Sequence, residues 1–246
     1  LKGYGSTTIE NGFGGGFICQ TGEGSNTVIR GFTIRTSVVD LGDAGVRCTG
    51  TSPTIRECRF YDCGQAGILS QAGATPIVQD CLFEENQGAV KIEDSSPLIE
   101  RCTMRLNREN SPSSGGNGGG LRISGTSMPH IVNCVIVQNV ATNNGGGLYV
   151  GTDAAPVFVN CTIADNVASN RGGGIFNAGS MHLWNRILWT NRAPIGPGFS
   201  LDHAFDTGYS CMQTEHAGAL NNLLTAPQSI RGGACPLTYS SPCLDQ

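Results

Sequence analysis

The sequence predicts an all-β fold, a parallel β-solenoid with an irregular C-terminal tail. The main observation is a unit that occurs twice in succession, at residues 129–139 with 145–150 and at residues 156–166 with 172–177. In each copy, short stretches of alternating apolar residues are separated by polar and glycine-rich segments. Such alternation is typical of half-buried strands and is too short for helices. Coils of this kind, one per repeat, stack into a solenoid.

The unit recurs upstream, and one cysteine marks each copy. Successive marker cysteines lie 21 to 32 residues apart, and the length differences fall in polar Gly, Ser and Asn segments. A larger apolar residue stands two positions after each cysteine. Because strand side chains alternate between faces, both sets are expected to point inward. The cysteines are Cys58, Cys81, Cys102, Cys134 and Cys161, and the apolar residues are Phe60, Phe83, Met104, Ile136 and Ile163.

Composition favours the same class. The 246 residues include 36 Gly and 11 Pro, and only 14% are charged, which fits neither a disordered nor a helical chain. The net charge of −4 is mild and the 15 Lys and Arg are scattered, so no nucleic-acid partner is expected. No apolar run reaches the roughly 18 residues that span a bilayer, so no transmembrane segment is expected. No signal peptide is recognised, and the start at Leu1 predicts a processed or excised part of a longer product.

Two regions are predicted. Residues 1–191 carry the parallel β-helix repeats, and residues 192–246 leave the pattern and are expected to fold back on the solenoid, joined by disulfides. The first coil shows no helix that would cover it, so its strand edges are predicted to be uncapped. Since open edges pair with other strands, we expect self-association, or a longer parent chain, at this N-terminal coil.

Two short motifs carry a resemblance to a known family. The first places Asn three residues after an apolar residue, and the second is Gly-Gly followed by an apolar residue. Both resemble right-handed parallel β-helix repeats of the pectin-lyase-like kind, and are similar to repeats of polymorphic outer-membrane proteins and bacterial surface β-helix modules. The resemblance implies a right-handed, single-stranded solenoid, in a fold that serves lyases, hydrolases, epimerases, adhesins and passive stalks. The motifs are Phe83 to Asn86, Ile136 to Asn139 and Ile163 to Asn166, and Gly119-Gly120-Leu121, Gly146-Gly147-Leu148 and Gly173-Gly174-Ile175.

Equivalent residues of stacked coils are expected to form ladders. Five asparagines should form one at a turn, where each amide bonds the backbone or its neighbour. The five marker cysteines are interpreted as small buried hydrophobes. No metal site and no cofactor is predicted, because there is one cysteine per coil, with no Cys-x-x-Cys pair and no neighbouring His. The asparagines are Asn86, Asn107, Asn139, Asn166 and Asn191.

The other cysteines are candidates for disulfides. Eleven is an odd number, so at least one thiol is unpaired or bonded outside the chain. Cys19 and Cys48 take equivalent positions in adjacent coils and could stack or bond. At least one disulfide is expected among Cys211, Cys235 and Cys243 in the tail, which predicts an extracellular or cell-surface location.

One file of outward residues is the candidate ligand-binding face. Basic residues at one end and aromatic residues at the other could hold an acidic polysaccharide, by charge and by ring stacking. The alternative is a solvated β-face with a few large side chains. The file consists of Arg47, Leu69, Lys91, Arg122, Tyr149 and Phe176.

Catalytic patterns are scarce. The acidic residues are mostly single, and His130 and His182 are interpreted as surface residues. The remaining candidates are Asp202, His203 and Asp206 in the tail. The sequence therefore favours a non-catalytic structural solenoid used for adhesion, glycan contact or head-to-tail assembly. The alternative is a polysaccharide lyase or glycoside hydrolase that acts on an acidic polysaccharide.

Overall fold

The structure is a computed structural model that describes residues 7–11, 16–36 and 44–201. Beyond these it describes the backbone of three short strands, at residues 206–207, 210–212 and 222–223. The described strands form four parallel sheets, named A to D here, whose members come from successive turns of the chain. Each turn visits sheet A, then B, then C, and some turns add a short strand of sheet D between B and C.

The strands are short. Sheet A contains Val28–Arg30, Thr54–Arg56, Ile77–Gln79, Leu98–Glu100, His130–Val132, Val157–Val159, His182–Trp184 and Asp206–Thr207. Sheet B contains Thr8–Asn11, Thr33–Thr36, Arg59–Tyr61, Leu82–Glu84, Thr103–Arg105, Val135–Val137, Thr162–Ala164, Arg186–Trp189, Ser210–Met212 and Asn222–Leu223.

Sheets C and D complete each turn. Sheet C contains Phe17–Cys19, Ala44–Thr49, Ala66–Gln71, Val90–Glu93, Leu121–Ser124, Leu148–Val150, Ile175–Asn177 and Phe199–Leu201. Sheet D contains Arg108–Glu109, Val140–Ala141 and Val167–Ala168. A 3-10 helix at Pro112–Ser114 lies in the longest connection between sheets D and C.

The pairing is parallel and in register, which confirms the all-β solenoid expected from the repeats. Phe83, for example, pairs with Phe60 on one side and with Met104 on the other. The strand Phe199–Leu201 still pairs with Ile175–Asn177. Solenoid pairing therefore continues past residue 191, where the sequence placed the end of the repeats, and the expected fold-back of the tail lies outside the described residues.

The core fills the inside of the coils. Each turn contributes the central residue of sheet A, the central residue of sheet B and alternate residues of sheet C. The rings of Phe60 and Phe83 stack inside it, with centroids 4.7 Å apart and planes 5° apart. Burial of these apolar ladders drives folding. It requires stacked coils, because one coil cannot cover its own apolar residues. None of the described residues forms a helix long and apolar enough to cross a membrane.

The corners on either side of sheet B each contain one residue in the left-handed region. Such a conformation turns the chain sharply, and it strains residues other than Gly, Asn and Asp. After sheet A these residues are Glu57, Asp80, Arg101, Asn133, Asn160 and Asn185, with φ from 50° to 55°. After sheet B they are Asp62, Glu85, Leu106, Gln138, Asp165 and Thr190, with φ from 52° to 58°.

An asparagine ladder follows the corner after sheet B. The Nδ2 of Asn139 donates to Asn166 Oδ1 at 3.0 Å and to the Met104 carbonyl at 3.0 Å. Its Oδ1 accepts the backbone N–H of Asn107 at 3.1 Å. Each amide thus satisfies buried backbone groups that the turn leaves unpaired. The buried members are Asn86, Asn107, Asn139, Asn166 and Asn191.

Cys63 occupies the place in this file that precedes Asn86. Its N–H donates to Asn86 Oδ1 at 3.0 Å, and its Sγ faces the Ile34 carbonyl at 3.6 Å. The alignment of Arg59–Tyr61 with Leu82–Glu84 predicts this position, and the sequence analysis missed it. Burial raises the pKa of the Cys63 thiol to about 11.

A cysteine ladder follows the corner after sheet A, and its five members are buried and free. Phe32 precedes the ladder, since its carbonyl accepts the N–H of Arg59 at 2.8 Å. Arg186 follows it, since the N–H of Ile187 donates to the Cys161 carbonyl at 3.1 Å. The members are Cys58, Cys81, Cys102, Cys134 and Cys161.

Candidate ligand-binding face

The six residues of the candidate face lie side by side on sheet C. Strand pairing places each one opposite the next, in the order Arg47, Leu69, Lys91, Arg122, Tyr149 and Phe176. Their exposure differs from the expectation of an open outward file. Leu69, Lys91 and Phe176 are buried, and the other three are half-buried.

Lys91 is buried beside the sheet D strand Arg108–Glu109. Its Nζ lies 2.7 Å from Glu109 Oε2, and the two side chains are 5% and 0% exposed. The contact is an ion pair without the angle of a good hydrogen bond. Gly88 leaves room for it, because a Cβ there would lie 3.2 Å from both Glu109 Oε2 and Lys91 Cε. Lys91 is therefore a partner of Glu109 and presents no free charge to a polysaccharide.

Glu109 also organises the loop around it. Its Oε1 accepts the backbone N–H of Ser111 at 2.8 Å and the hydroxyl of Ser114 at 2.6 Å. These bonds hold the 3-10 turn over sheet C. A buried carboxylate needs such partners, since an unpaired charge in the interior is very costly.

The aromatic end of the face is a ring stack. The rings of Tyr149 and Phe176 are 5.3 Å apart and nearly parallel, at 7°. The guanidinium of Arg171 lies 5.0 Å from the Phe176 ring centroid, as in a cation–π contact. Ring faces that cover one another leave mainly their edges to solvent. A sugar therefore has no room to stack between the two rings.

The accessible part of the face centres on Arg122 and Tyr149. Arg122 Nη1 lies 2.6 Å from Glu93 Oε1, and the two side chains are 20% and 43% exposed. At the basic end, Arg47 Nη2 lies 3.4 Å from Gln65 Oε1. A planar guanidinium beside a half-buried phenol ring suits hydrogen bonding to a carboxylate or hydroxyl ligand.

Glu84 on sheet B is a buried carboxylate. Arg59 Nη2 lies 2.8 Å from its Oε2, and Arg105 contacts its Oε1. Burial raises the pKa of this carboxyl, but hydrogen bonds from Arg105 and Arg59 outweigh burial and hold the pKa below its usual range. A carboxylate held ionised between two cations suits a structural link better than proton transfer.

The catalytic candidates of the tail are not brought to a described site. Asp202 and His203 lie outside the described residues, as does the side chain of Asp206. The backbone of Asp206 pairs with His182 on sheet A. Arg186 on sheet B is 2% exposed, and burial lowers its pKa to about 9. It donates to the Leu183 carbonyl at 3.0 Å and lies over the Phe199 ring, so its guanidinium is committed to the core.

Two of the five disulfide candidates lie within the described residues, and the side chains of the other three lie outside them. Cys19 and Cys48 stand opposite each other on sheet C as free, buried thiols. A hydrogen bond from Cys48 lowers the pKa of Cys19. The backbone of Cys211 pairs with Ile187, while its side chain, Cys235 and Cys243 lie outside the described residues. No group of three His, Cys, Asp or Glu able to hold a metal ion occurs in the described part of the chain.

Comparison with known proteins agrees with this architecture. None of the curated proteins matches the chain. A solved structure that matches is QnrB1, a plasmid-mediated fluoroquinolone resistance protein, at 13% identity over 80% of this chain and 92% of that chain. Its TM-score of 0.26 is too low to support an inference about this chain. The family described as "Right handed beta helix region" matches residues 5–142, more than half of the chain. This protein is therefore a member of the right-handed β-helix family.

Proposed function

We propose that the chain is a secreted or cell-surface structural β-solenoid, non-catalytic, that acts in adhesion, glycan contact or head-to-tail assembly into fibres. The observation that carries this proposal is the N-terminal edge of the described solenoid. Thr8–Asn11, Phe17–Cys19 and Val28–Arg30 stand first in sheets B, C and A, and each pairs on one side only with other described strands. Three strand edges thus face the same way.

Such an edge has the chemistry of a joining surface. A strand that pairs on one side presents backbone N–H and C=O groups to a further strand. That strand could belong to a longer parent chain or to a second copy. A contact between opposite ends of identical molecules has no closing rotation, so it would extend into a filament.

The state of the buried charges favours a scaffold over an enzyme. Glu84 and Glu109 each form ion pairs with basic side chains. Acid–base catalysis needs a carboxyl whose proton can reach a substrate. These two carboxylates instead tie one coil to another, which serves stiffness.

Electron microscopy of the purified full chain tests the proposal, with one variant at the edge and one away from it. Ile18, 52% exposed on the edge strand Phe17–Cys19, is changed to Lys, because lysine on an edge strand opposes association. Met128, 60% exposed in a loop, is changed to Lys as the matched control. We expect fibres with the native chain and with Met128→Lys, and single particles with Ile18→Lys. Single particles of the native chain at high concentration would contradict assembly.

A second candidate function is favoured by the half-buried Arg122 and Tyr149. If an acidic polysaccharide binds this face, Arg122→Ala and Tyr149→Ala should each weaken binding to soluble polyuronates, while Arg30→Ala on sheet A should not. Release of unsaturated or reducing ends from the same polymers would assign a lyase or a hydrolase. Unchanged binding in both variants would remove the face as a glycan site.

The extracellular location is also part of the proposal. It rests on the disulfide expected among Cys211, Cys235 and Cys243. Cell fractionation of the native source, with protease treatment of intact cells, tests it. Protection of the chain from protease would contradict surface display.

A further inference from the structure

The cysteine ladder is a row of free thiols inside the wall of the solenoid. All five members, Cys58, Cys81, Cys102, Cys134 and Cys161, are free and at most 3% exposed. The residue before each of them is exposed at the corner after sheet A. Each buried sulfur therefore belongs to the residue that directly follows an exposed corner residue.

The five sulfurs occupy equivalent positions. Each Sγ faces the carbonyl two residues earlier at 3.2 to 3.4 Å. Each also faces a carbonyl of the preceding coil at 3.6 or 3.7 Å. The backbone repeats as regularly, because four Cys carbonyls accept an N–H of the next coil at 2.9 Å. Successive sulfurs are therefore separated by about the spacing of parallel strands, roughly 4.8 Å.

This spacing matches a linear metal–thiolate unit. A thiolate sulfur lies about 2.3 Å from a bound first-row d10 ion such as Zn²⁺. Two such bonds laid end to end span about 4.6 Å. The described residues offer no third or fourth ligand for a tetrahedral ion. Soft thiolates select Cu(I), a d10 ion that accepts two ligands in a line.

We propose that adjacent thiols of the cysteine ladder bind Cu(I) as linear, two-coordinate pairs. Each ion displaces two thiol protons to solvent, with no change of oxidation state, and leaves one net negative charge on the pair. The proposal is independent of the assembly proposed above.

The thiols also interact with one another. Hydrogen bonds from Cys102 and Cys161 hold the pKa of Cys134 below its usual range. Proton sharing with Cys134 and Cys81 raises the pKa of Cys102. Both shifts follow from the position of each thiol between two neighbouring thiols of the ladder.

The number of adjacent thiol pairs determines how many ions each variant should bind. Since each thiol serves one ion, five thiols in a row hold two ions. Replacing Cys81 and Cys134 by Ala leaves three thiols, none of them adjacent, and should abolish pairs. Replacing Cys58 and Cys161 by Ala also leaves three thiols, but these are consecutive and should hold one ion. The two double variants differ only in adjacency.

The experiment uses the full chain with the other six cysteines changed to Ser: Cys19, Cys48, Cys63, Cys211, Cys235 and Cys243. Cu(I) is added without oxygen in the presence of a chromogenic Cu(I) chelator, and bound copper is measured after desalting. Circular dichroism verifies the β-sheet content of each variant. We expect two ions in the five-thiol protein, none in Cys81→Ala/Cys134→Ala and one in Cys58→Ala/Cys161→Ala.

Equal copper in the two double variants, or no copper in the five-thiol protein, would overturn the proposal. If a double variant does not fold, X-ray absorption of the copper-loaded native chain decides. Two sulfur neighbours at one distance support linear pairs. Three or more sulfur neighbours, or oxygen and nitrogen ligands, overturn them.

Discussion

Lys91 Nζ lies 2.7 Å from Glu109 Oε2, and this pair joins the middle of sheet C to the strand Arg108–Glu109 of sheet D. Both side chains are almost fully buried. The cost of removing two charges from water is offset only while both partners remain. The pair therefore fixes the loop conformation more than it adds net stability.

Removing one partner should be far worse than removing both. Lys91→Met leaves Glu109 charged in the interior, and we expect a loss of about 3 to 5 kcal/mol in the free energy of unfolding. Lys91→Met with Glu109→Met should recover most of this loss. Urea unfolding of the native chain, of Lys91→Met, of Glu109→Met and of the double variant measures the coupling. The exposed pair Arg30–Glu57, treated in the same way, should change stability by about 1 kcal/mol or less. A double-variant loss equal to the sum of the two single-variant losses would show that the pair is not coupled.

Leu106 is the largest apolar residue among the left-handed corners. Its φ is 58° and its side chain is 48% exposed, so it has strain without burial. Asn adopts this conformation more readily, and Leu106→Asn should raise the free energy of unfolding by about 1 kcal/mol. The reverse change, Asn185→Leu at φ 50°, should lower it by a similar amount. Thermal unfolding compares the two, and a loss of stability in Leu106→Asn would contradict the assignment of strain.

Gly147 explains the Gly-Gly-apolar motif. A Cβ there would lie 2.7 Å from the Gly174 carbonyl oxygen and 2.8 Å from Asn166 Nδ2. Gly147→Ala should therefore push the coils apart at the asparagine ladder and cost about 1 to 3 kcal/mol. Gly24→Ala is the control, since a Cβ there meets nothing within 4 Å. Denaturant midpoints measured on both variants are decisive, and equal midpoints would exclude close packing as the reason for the motif.

Cys63 should make stability depend on alkaline pH. Its pKa rises from 9.0 to about 11 through burial, so the folded chain keeps a proton that the unfolded chain releases. The stabilisation is complete below about pH 9 and is lost as the pH rises through about 11. A pKa difference of two units corresponds to a change of about 3 kcal/mol at most in the free energy of unfolding. Urea unfolding between pH 8 and 11 should show a smaller decline for Cys63→Ala than for the native chain. Parallel curves would place the ionisation elsewhere.

The period of the repeats predicted the fold and the neighbours in each file, because register follows directly from alternation and repeat length. Arg47 and Phe176 lie in the file that the sequence assigned to them. Exposure did not follow from the pattern. Lys91 is buried beside Glu109, which belongs to the short strand Arg108–Glu109 of sheet D, a strand that only some repeats contain.

Residues that depart from a repeat were harder to interpret. Cys63 lies in the asparagine file, and Arg186 lies in the cysteine file, where a charged residue breaks the pattern of small buried side chains. Alignment of neighbouring coils would have found both positions. Burial of a guanidinium over the Phe199 ring depends on contacts across the interior, which no single coil contains.

Within the described residues, sheet D occurs in three successive coils, at Arg108–Glu109, Val140–Ala141 and Val167–Ala168. Hydrogen bonds between parallel strands run along the solenoid axis, so tension along that axis loads the junctions between coils in series. The junctions that include sheet D carry additional bonds. Under traction the described coils at residues 54–100, which lack this fourth row, would separate before those at residues 108–168, so this part of the molecule would behave as a spring with one stiffer segment.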